Sequence, residues 1–252
     1  MSKISRRALI AGGAGVAASA AGLAVAAKLA ARHGLLPPDS GGVYGPGETL
    51  TYAAQRLLTR HSLAREFSRS QISAKPLANE VAPLGDEFGR LQKSGFTEWR
   101  LAVDGMVANT ASFSVADIQK FPERSHITMI QCEEGWSYIG EWIGAPLSHL
   151  LERVGVLPQA RYVVYRSFQP DWWDSIDMAD ALHPQTLLTY GMNGGDLPVG
   201  FGGPLRLRVT RQLGYKSVKY LTRVTLTDNL KKFGKGLGSM EPEAGYSWYA
   251  GI

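Results

Sequence analysis

The chain has 252 residues, 44% of them hydrophobic and 19% charged, with a formal net charge of +5. This balance excludes a disordered chain, a collagen-like repeat and a polytopic membrane protein, and the length suffices for one large domain or two small ones. The 29 glycines and 13 prolines mark many turns, and the single cysteine, Cys132, excludes an intrachain disulfide framework and a Cys-paired zinc site.

The N-terminus carries part of the charge. Lys3, Arg6 and Arg7 are the only charged residues among the first 26, and without them 24 basic residues face 22 acidic ones, a balance of +2. A nearly neutral body argues against a nucleic-acid partner. Ser5-Arg6-Arg7-Ala8-Leu9-Ile10 is a twin-arginine signature, followed by an uncharged run from Ala8 to Ala27 with ten alanines and four glycines. Ala24-Val25-Ala26 supplies an A-x-A cleavage pattern. Residues 1–26 are therefore expected to be a Tat signal peptide. The alternative is an uncleaved anchor helix, which so much Ala and Gly would insert weakly. The Tat translocase is the implied first partner and the periplasm the implied destination.

A Pro/Gly-rich linker, 34–47, comes next. The stretch 50–67 predicts a short helix with a basic face, broken near His61. Residues 68–95 read as irregular chain wrapping over the body. Trp99 to Val103 alternates and meets Asp104-Gly105, a strand and turn. Ser114-Val115-Ala116-Asp117 opens a short helix with a capping pattern. His126 to Cys132 predicts a buried strand. From Leu147 the apolar residues fall at i, i+3, i+4 and i+7, an amphipathic helix with Pro146 at its start and Gly155 at its end. Residues 162–168, 205–209 and 218–227 predict further strands. Without regular βαβ spacing, the pattern is α+β. The expected organisation is a linker and N-terminal extension over 27–97, a core over 98–230, and a tail over 231–252 packed on that core.

Cys132 stands at a strand end, before Glu133-Glu134-Gly135-Trp136. From the residues alone it is either a buried structural cysteine or a thiol facing a pocket. Two neighbouring carboxylates disfavour a free thiolate, but a metal on the sulfur would remove that objection, because coordination deprotonates the thiol. No partner motif around any histidine supports a Cys-His dyad. Six glycines crowd 191–204, a stretch lacking the spacing of a P-loop or a dinucleotide fingerprint. Arg206, Arg208, Arg211, Lys216 and Lys219 follow it. They form either a solvated basic face or a site for an anion.

The run from Cys132 to Ser137, followed by Trp142-Ile143-Gly144-Ala145-Pro146-Leu147, resembles the molybdenum-cysteine region of the sulfite oxidase family of molybdopterin oxidoreductases, within it the branch of protein-methionine-sulfoxide reductase catalytic subunits. Gly203-Pro204-Leu205-Arg206 and the block from Gly214 to Lys219 are similar to two further family motifs, so that the resemblance covers about 99–227. It implies the sulfite oxidase fold, mixed β-sheets with short helices, and one mononuclear Mo-molybdopterin. It makes Cys132 the molybdenum ligand and Glu134 a catalytic carboxylate beside the metal. Cofactor contacts fall on Arg206, Ser217, Val218, Lys219 and Ser167, with His61 and Arg65 as further pterin contacts. Trp136 and Trp142 are pocket walls or core. Phe201 departs from the family, which offers Asn or His there.

The arginine pair with which animal sulfite oxidases bind sulfite is absent, and acidic or aromatic residues stand in its place. A neutral oxo substrate, small or protein-bound, is therefore expected rather than an anion. The implied activity is oxygen-atom transfer, with reduction of a sulfoxide to a thioether as the expected reaction. Electrons would come from a separate partner, a membrane cytochrome b or a soluble cytochrome c, since the chain has no haem or iron–sulfur motif. The alternatives are oxidation of sulfite or another small anion, and a cofactor-free exported binding or assembly module. The aromatic group Tyr165, Phe168, Trp172 and Trp173 would line an entrance or pack in the core.

Overall fold

The computed structural model describes Val25, residues 28–30 and residues 34–252 apart from Val43, Glu80, Val81 and Leu84. The twin-arginine motif and, Val25 aside, the cleavage pattern lie outside the described residues. Among the described residues no helix is long and apolar enough to cross a membrane.

Two five-stranded sheets carry the fold among those residues. The first has the order β2-β1-β10-β5-β6 and is built from β1 (Leu101–Gly105), β2 (Ala111–Phe113), β5 (Tyr162–Ser167), β6 (Trp173–Asp177) and β10 (Leu221–Thr227). Strands β1 and β10 run parallel, and the other pairs are antiparallel. The second is antiparallel throughout: β3 (Arg124–Gln131), β4 (Ser137–Pro146), β7 (Thr186–Met192) and β8 (Gly195–Asp196) in order, with β9 (Arg206–Val209) also on β7. Mixed sheets with few short helices are the expected α+β class.

Burial follows the strand period where one face is wet. Leu101 and Val103 of β1 point inward while Ala102 and Asp104 are half-exposed. By contrast every residue of β6 and β7 is buried, so neither shows alternation in the sequence. Leu101, Val163 and Val224 from the first sheet meet Leu188, Leu207 and Val209 from the second. The helix Leu147–Val154 adds Leu147, Leu150, Leu151 and Val154 to this core and ends at Gly155, whose φ of 69° supplies the left-handed cap. Strand β4 slips register against β7 between Ile143 and Gly144, and a Cβ on Gly144 would lie 2.3 Å from the Leu188 carbonyl oxygen. Gly144→Ala is expected to destabilise by about 1–3 kcal/mol through overpacking. Chemical denaturation checks this, and an unchanged midpoint would contradict it.

The N-terminal extension is tied down by charge as well as packing. Helix α1 (Gly45–Leu58) buries Tyr52 and Arg56. The Arg56 guanidinium donates to both Asp180 carboxylate oxygens, at 2.6 and 3.3 Å, and its Nε lies 2.7 Å from Asp177. The helix ends before His61, as expected, but begins inside the stretch read as linker. Residues 64–73 then run beside β3 and β4, with Phe67 N–H donating to the Ile127 carbonyl and Ser73 N–H to that of Ile139. A second helix, α2 (Asp86–Lys93), lies in the stretch read as irregular. It is amphipathic over only eight residues and carries Gly89. Burial of Phe88 and Leu91 against Trp99 and Tyr220 holds it, a tertiary contact that local pattern does not announce.

The tail packs through Trp248, which is 1% exposed and donates its ring N–H to Ser175 Oγ at 2.8 Å. Nearby, burial first and then Asp174 and Glu133 push the Glu241 carboxyl up to about 7. A carboxyl raised in the folded state holds its proton after the unfolded chain has lost it. This contribution to stability is therefore fully present below about pH 4.5 and is lost as pH rises through 7. Glu241→Gln is expected to flatten the fall of the denaturation midpoint between pH 4.5 and 7. An equally steep fall in the variant would contradict this.

Candidate functional site

The site forms where the β3–β4 turn meets the loop after β9. Cys132 N–H donates to the Trp136 carbonyl at 2.9 Å and Gly135 N–H to the Cys132 carbonyl at 3.1 Å, closing a tight hairpin. Gly135, at φ 92°, allows the return. The turn sets Cys132 against Gly214, where a Cβ would come within 3.1 Å of the Gln131 carbonyl oxygen and 3.5 Å of the Cys132 Cα. Gly214 thus lets the second loop close on the first.

Between the two loops lies a cavity of about 310 Å³. Cys132, Glu133, Glu134 and Trp136 come from the turn. Arg206, Ser217, Val218 and Lys219 form the basic side, and Tyr215 from the same part of the chain also lines the cavity. Leu77, Asn79, Gln169 and Trp172 complete the rim. Six residues expected at the site, Cys132, Glu134, Arg206, Ser217, Val218 and Lys219, therefore converge on one cavity. Ser167 is buried just behind it, its hydroxyl donating to the Lys219 carbonyl at 2.9 Å. His61 and Arg65 are exposed and do not line the cavity, and Arg65 instead lies 4.8 Å from the Phe67 ring centre.

The sulfur is 3.3 Å from Glu133 Oε2 and 3.8 Å from Glu134 Oε2. Glu134 is fixed by the Trp136 ring N–H, which donates to the same Oε2 at 2.7 Å. Burial, with the Glu133 carboxylate adding to it, pushes the Cys132 thiol up to about 12. Left alone, this cysteine keeps its proton and is neither a nucleophile nor a ligand at neutral pH.

The opposite wall is cationic. Arg206 is 3% exposed and donates to the carbonyls of Phe201 at 2.8 Å and Ser217 at 2.6 Å. Among the described residues no carboxylate pairs with it, and its Nε has no partner. Burial lowers its pKa, which neighbouring Tyr138 and Tyr220 only partly offset. Lys219 Nζ donates to Asn79 Oδ1 at 2.9 Å and to the Gly200 carbonyl at 2.8 Å, bridging the wrapping segment and the Gly-rich stretch. Gly202, at φ 107°, is where that stretch passes under both cations, and a Cβ there would sit 3.0 Å from the Lys219 side chain. Phe201 packs edge-on to Tyr138, with ring centres 5.8 Å apart, and does not line the cavity, touching the site only through the carbonyl that accepts from Arg206. Of the four aromatics expected near an entrance, Trp172 lines the cavity. Tyr165 and Trp173 are core, and Phe168 stacks on Trp99.

A model of the oxidoreductase molybdopterin binding domain family matches residues 89–233, more than half of the chain. The chain belongs to this family. It is an oxidoreductase and an enzyme, and membership implies a molybdenum cofactor. Among the relatives is a putative protein-methionine-sulfoxide reductase subunit, YedZ1, of Azospira oryzae, 36% identical over 77% of this chain and 70% of that protein. The catalytic subunit MsrP of the same type of reductase in Ralstonia nicotianae is 32% identical over 52% of this chain, which spans 44% of its length. Among solved structures, the sulfane dehydrogenase SoxCD of Paracoccus pantotrophus superposes with a TM-score of 0.52 at 21% identity, covering 68% of this chain and 46% of that one. This likeness supports the sulfite oxidase-type fold.

Leu77, Asn79 and Gln169 were not expected at the site. They reach it through tertiary wrapping, and nothing in their local sequence signals it. Tyr215 lies inside the Gly214–Lys219 block and was open to notice there.

The residues present suit the implied cofactor. A buried arginine with an unsatisfied Nε and no counter-charge calls for an anionic ligand. The single thiol lines the cavity, where coordination would deprotonate it and make it a metal ligand. A cavity of about 310 Å³ lies within the range of small-molecule sites.

Proposed function

We propose that this chain is the exported catalytic subunit of a molybdopterin-dependent sulfoxide reductase. The supporting observation is the placing, on one cavity, of the chain's single thiol and a buried arginine that no carboxylate among the described residues faces. Cys132 Sγ would hold the metal, a soft thiolate on a transition-metal centre. Arg206, the 217–219 segment and Ser167 behind it would hold the anionic pterin. When bound, the cofactor supplies two-electron redox chemistry and a place for an oxygen atom to be transferred.

The chain's own residues do the rest. Glu133 Oε2, 3.3 Å from Sγ, is the nearest acceptor for the proton that Cys132 would give up on holding a metal. Glu134, held by Trp136, is positioned to deliver or receive a proton at the substrate oxygen. Leu77, Trp136 and Trp172 give the cavity apolar lining for the body of a substrate. The two carboxylates at the thiol repel an anion at close range, which favours a neutral sulfoxide, free or within a protein, over sulfite. Electrons would come from a membrane cytochrome b or a soluble cytochrome c. The twin-arginine segment would take the folded chain through the Tat translocase to the periplasm.

Protein from molybdenum-replete cells, assayed with methionine sulfoxide and with sulfite, tests the reading. Reduction of the sulfoxide with negligible sulfite oxidation is expected. Sulfite turnover without sulfoxide turnover would overturn it in favour of anion oxidation.

A further inference from the structure

Behind the cavity wall sits a second cation that the proposed reading does not use. Arg208 is 0% exposed, two residues from Arg206 on β9, and both guanidinium carbons lie near the Trp142 ring centre, at 5.2 Å for Arg206 and 5.3 Å for Arg208. Arg208 donates to the Met129 carbonyl at 2.6 Å, to the Val209 carbonyl at 3.4 Å and to Ser217 Oγ at 3.2 Å, while its Nε has no partner. Among the described residues no carboxylate faces it. The groups that bear on it electrostatically are Arg206 and Tyr138.

Two like charges sit side by side in buried positions, with no carboxylate among the described residues to balance them. A fold selected for stability alone would place apolar residues there, because a buried unpaired charge costs more than its hydrogen bonds return. The hydrogen bonds show what Arg208 holds. Ser217 Oγ accepts from Arg208 and from Val209 N–H at 3.0 Å, and the Ser217 carbonyl accepts Arg206 Nη2 at 2.6 Å. Ser217 and Arg206 both line the cavity.

We propose that Arg208 is a positioning residue for the anionic group of the cofactor, fixing Ser217 and through it Arg206, and adding a second uncompensated positive charge behind the cavity wall. The inference rests on the molybdopterin reading of the cavity. Burial, followed by repulsion from Arg206, pushes the Arg208 pKa down to about 9, which agrees with a charge awaiting its partner. Cation–π contact with Trp142 holds both guanidiniums in place meanwhile.

The full chain with Arg208→Met and with Arg208→Gln, prepared with and without cofactor, tests this. The cofactor-free Arg208→Met chain is expected to melt at or above the wild-type temperature, since it loses a lone buried charge. The rise in melting temperature that inorganic phosphate gives over equal chloride is expected to shrink in both variants, and molybdenum retained through dialysis to fall about ten-fold. A clamp serving the fold alone would give the reverse. A lower melting temperature without cofactor in both variants, with wild-type phosphate response and molybdenum retention in Arg208→Gln, would overturn the assignment. A wild-type chain that takes up no molybdenum would overturn the cavity reading itself, and this inference with it.

Discussion

Cys132→Ser is expected to leave the fold intact and abolish both molybdenum retention and turnover. The side chain is 9% exposed and its hydrogen bonds to Glu133 and Glu134 are long, so exchanging sulfur for oxygen disturbs little of the packing. The turn itself is held by backbone bonds between Cys132, Gly135 and Trp136, which the variant keeps. A hydroxyl has neither the softness nor the acidity to replace a thiolate on the metal. Removing outer groups of a metal site typically costs 10–100-fold, and loss of the proposed ligand should exceed about 100-fold. Metal analysis beside circular dichroism checks this. Full turnover in the variant would mean that the sulfur is not the ligand.

Lys216→Met is expected to give the largest loss of stability. Lys216 is 0% exposed, and its Nζ donates to Asp174 Oδ1 at 2.6 Å and to the Ser175 carbonyl at 3.1 Å. Its own carbonyl accepts the Tyr165 hydroxyl at 2.8 Å. Asp174 is fully buried, and burial raises its pKa even with the lysine present. Deleting the ammonium strands that carboxylate, a loss of about 3–5 kcal/mol. In a domain of this size that lowers the melting temperature by roughly 6–20 °C. Adding Asp174→Asn to the variant is expected to restore part of the loss, because it removes the lone charge. Tyr215 and Ser217 flank Lys216 and line the cavity, so cofactor loading should fall with stability. A single variant within 1 kcal/mol of wild type would show that the pair contributes little.

What the sequence revealed depended on how each element earns its burial. The helix Leu147–Val154 and strand β1 each have one wet face, so their periods are visible. Strands β6 and β7 are buried on both faces and carry no period, while β4 was noticed for its motif rather than its conformation. Helix α2 owes its stability to packing on Tyr220, far along the chain, as well as on nearby Trp99. The site divides in the same way. Cys132 and Glu134, Arg206, and the 217–219 segment lie in three short motifs, and the cavity forms where the motifs meet. Asn79 and Gln169 come from unpatterned chain. Arg208 was visible as a base in a basic run, open to reading as a solvated face or an anion site, and only the structure shows it buried with no carboxylate among the described residues facing it.

The central claim is that one molybdopterin occupies the cavity between Cys132 and Arg206. Native mass spectrometry of the wild-type chain from molybdenum-replete cells, read beside its metal content, tests it most directly. One cofactor-sized mass increment and one molybdenum per chain are expected, both lost in Cys132→Ser. A bare wild-type chain, or an increment that survives the substitution undiminished, would contradict the account.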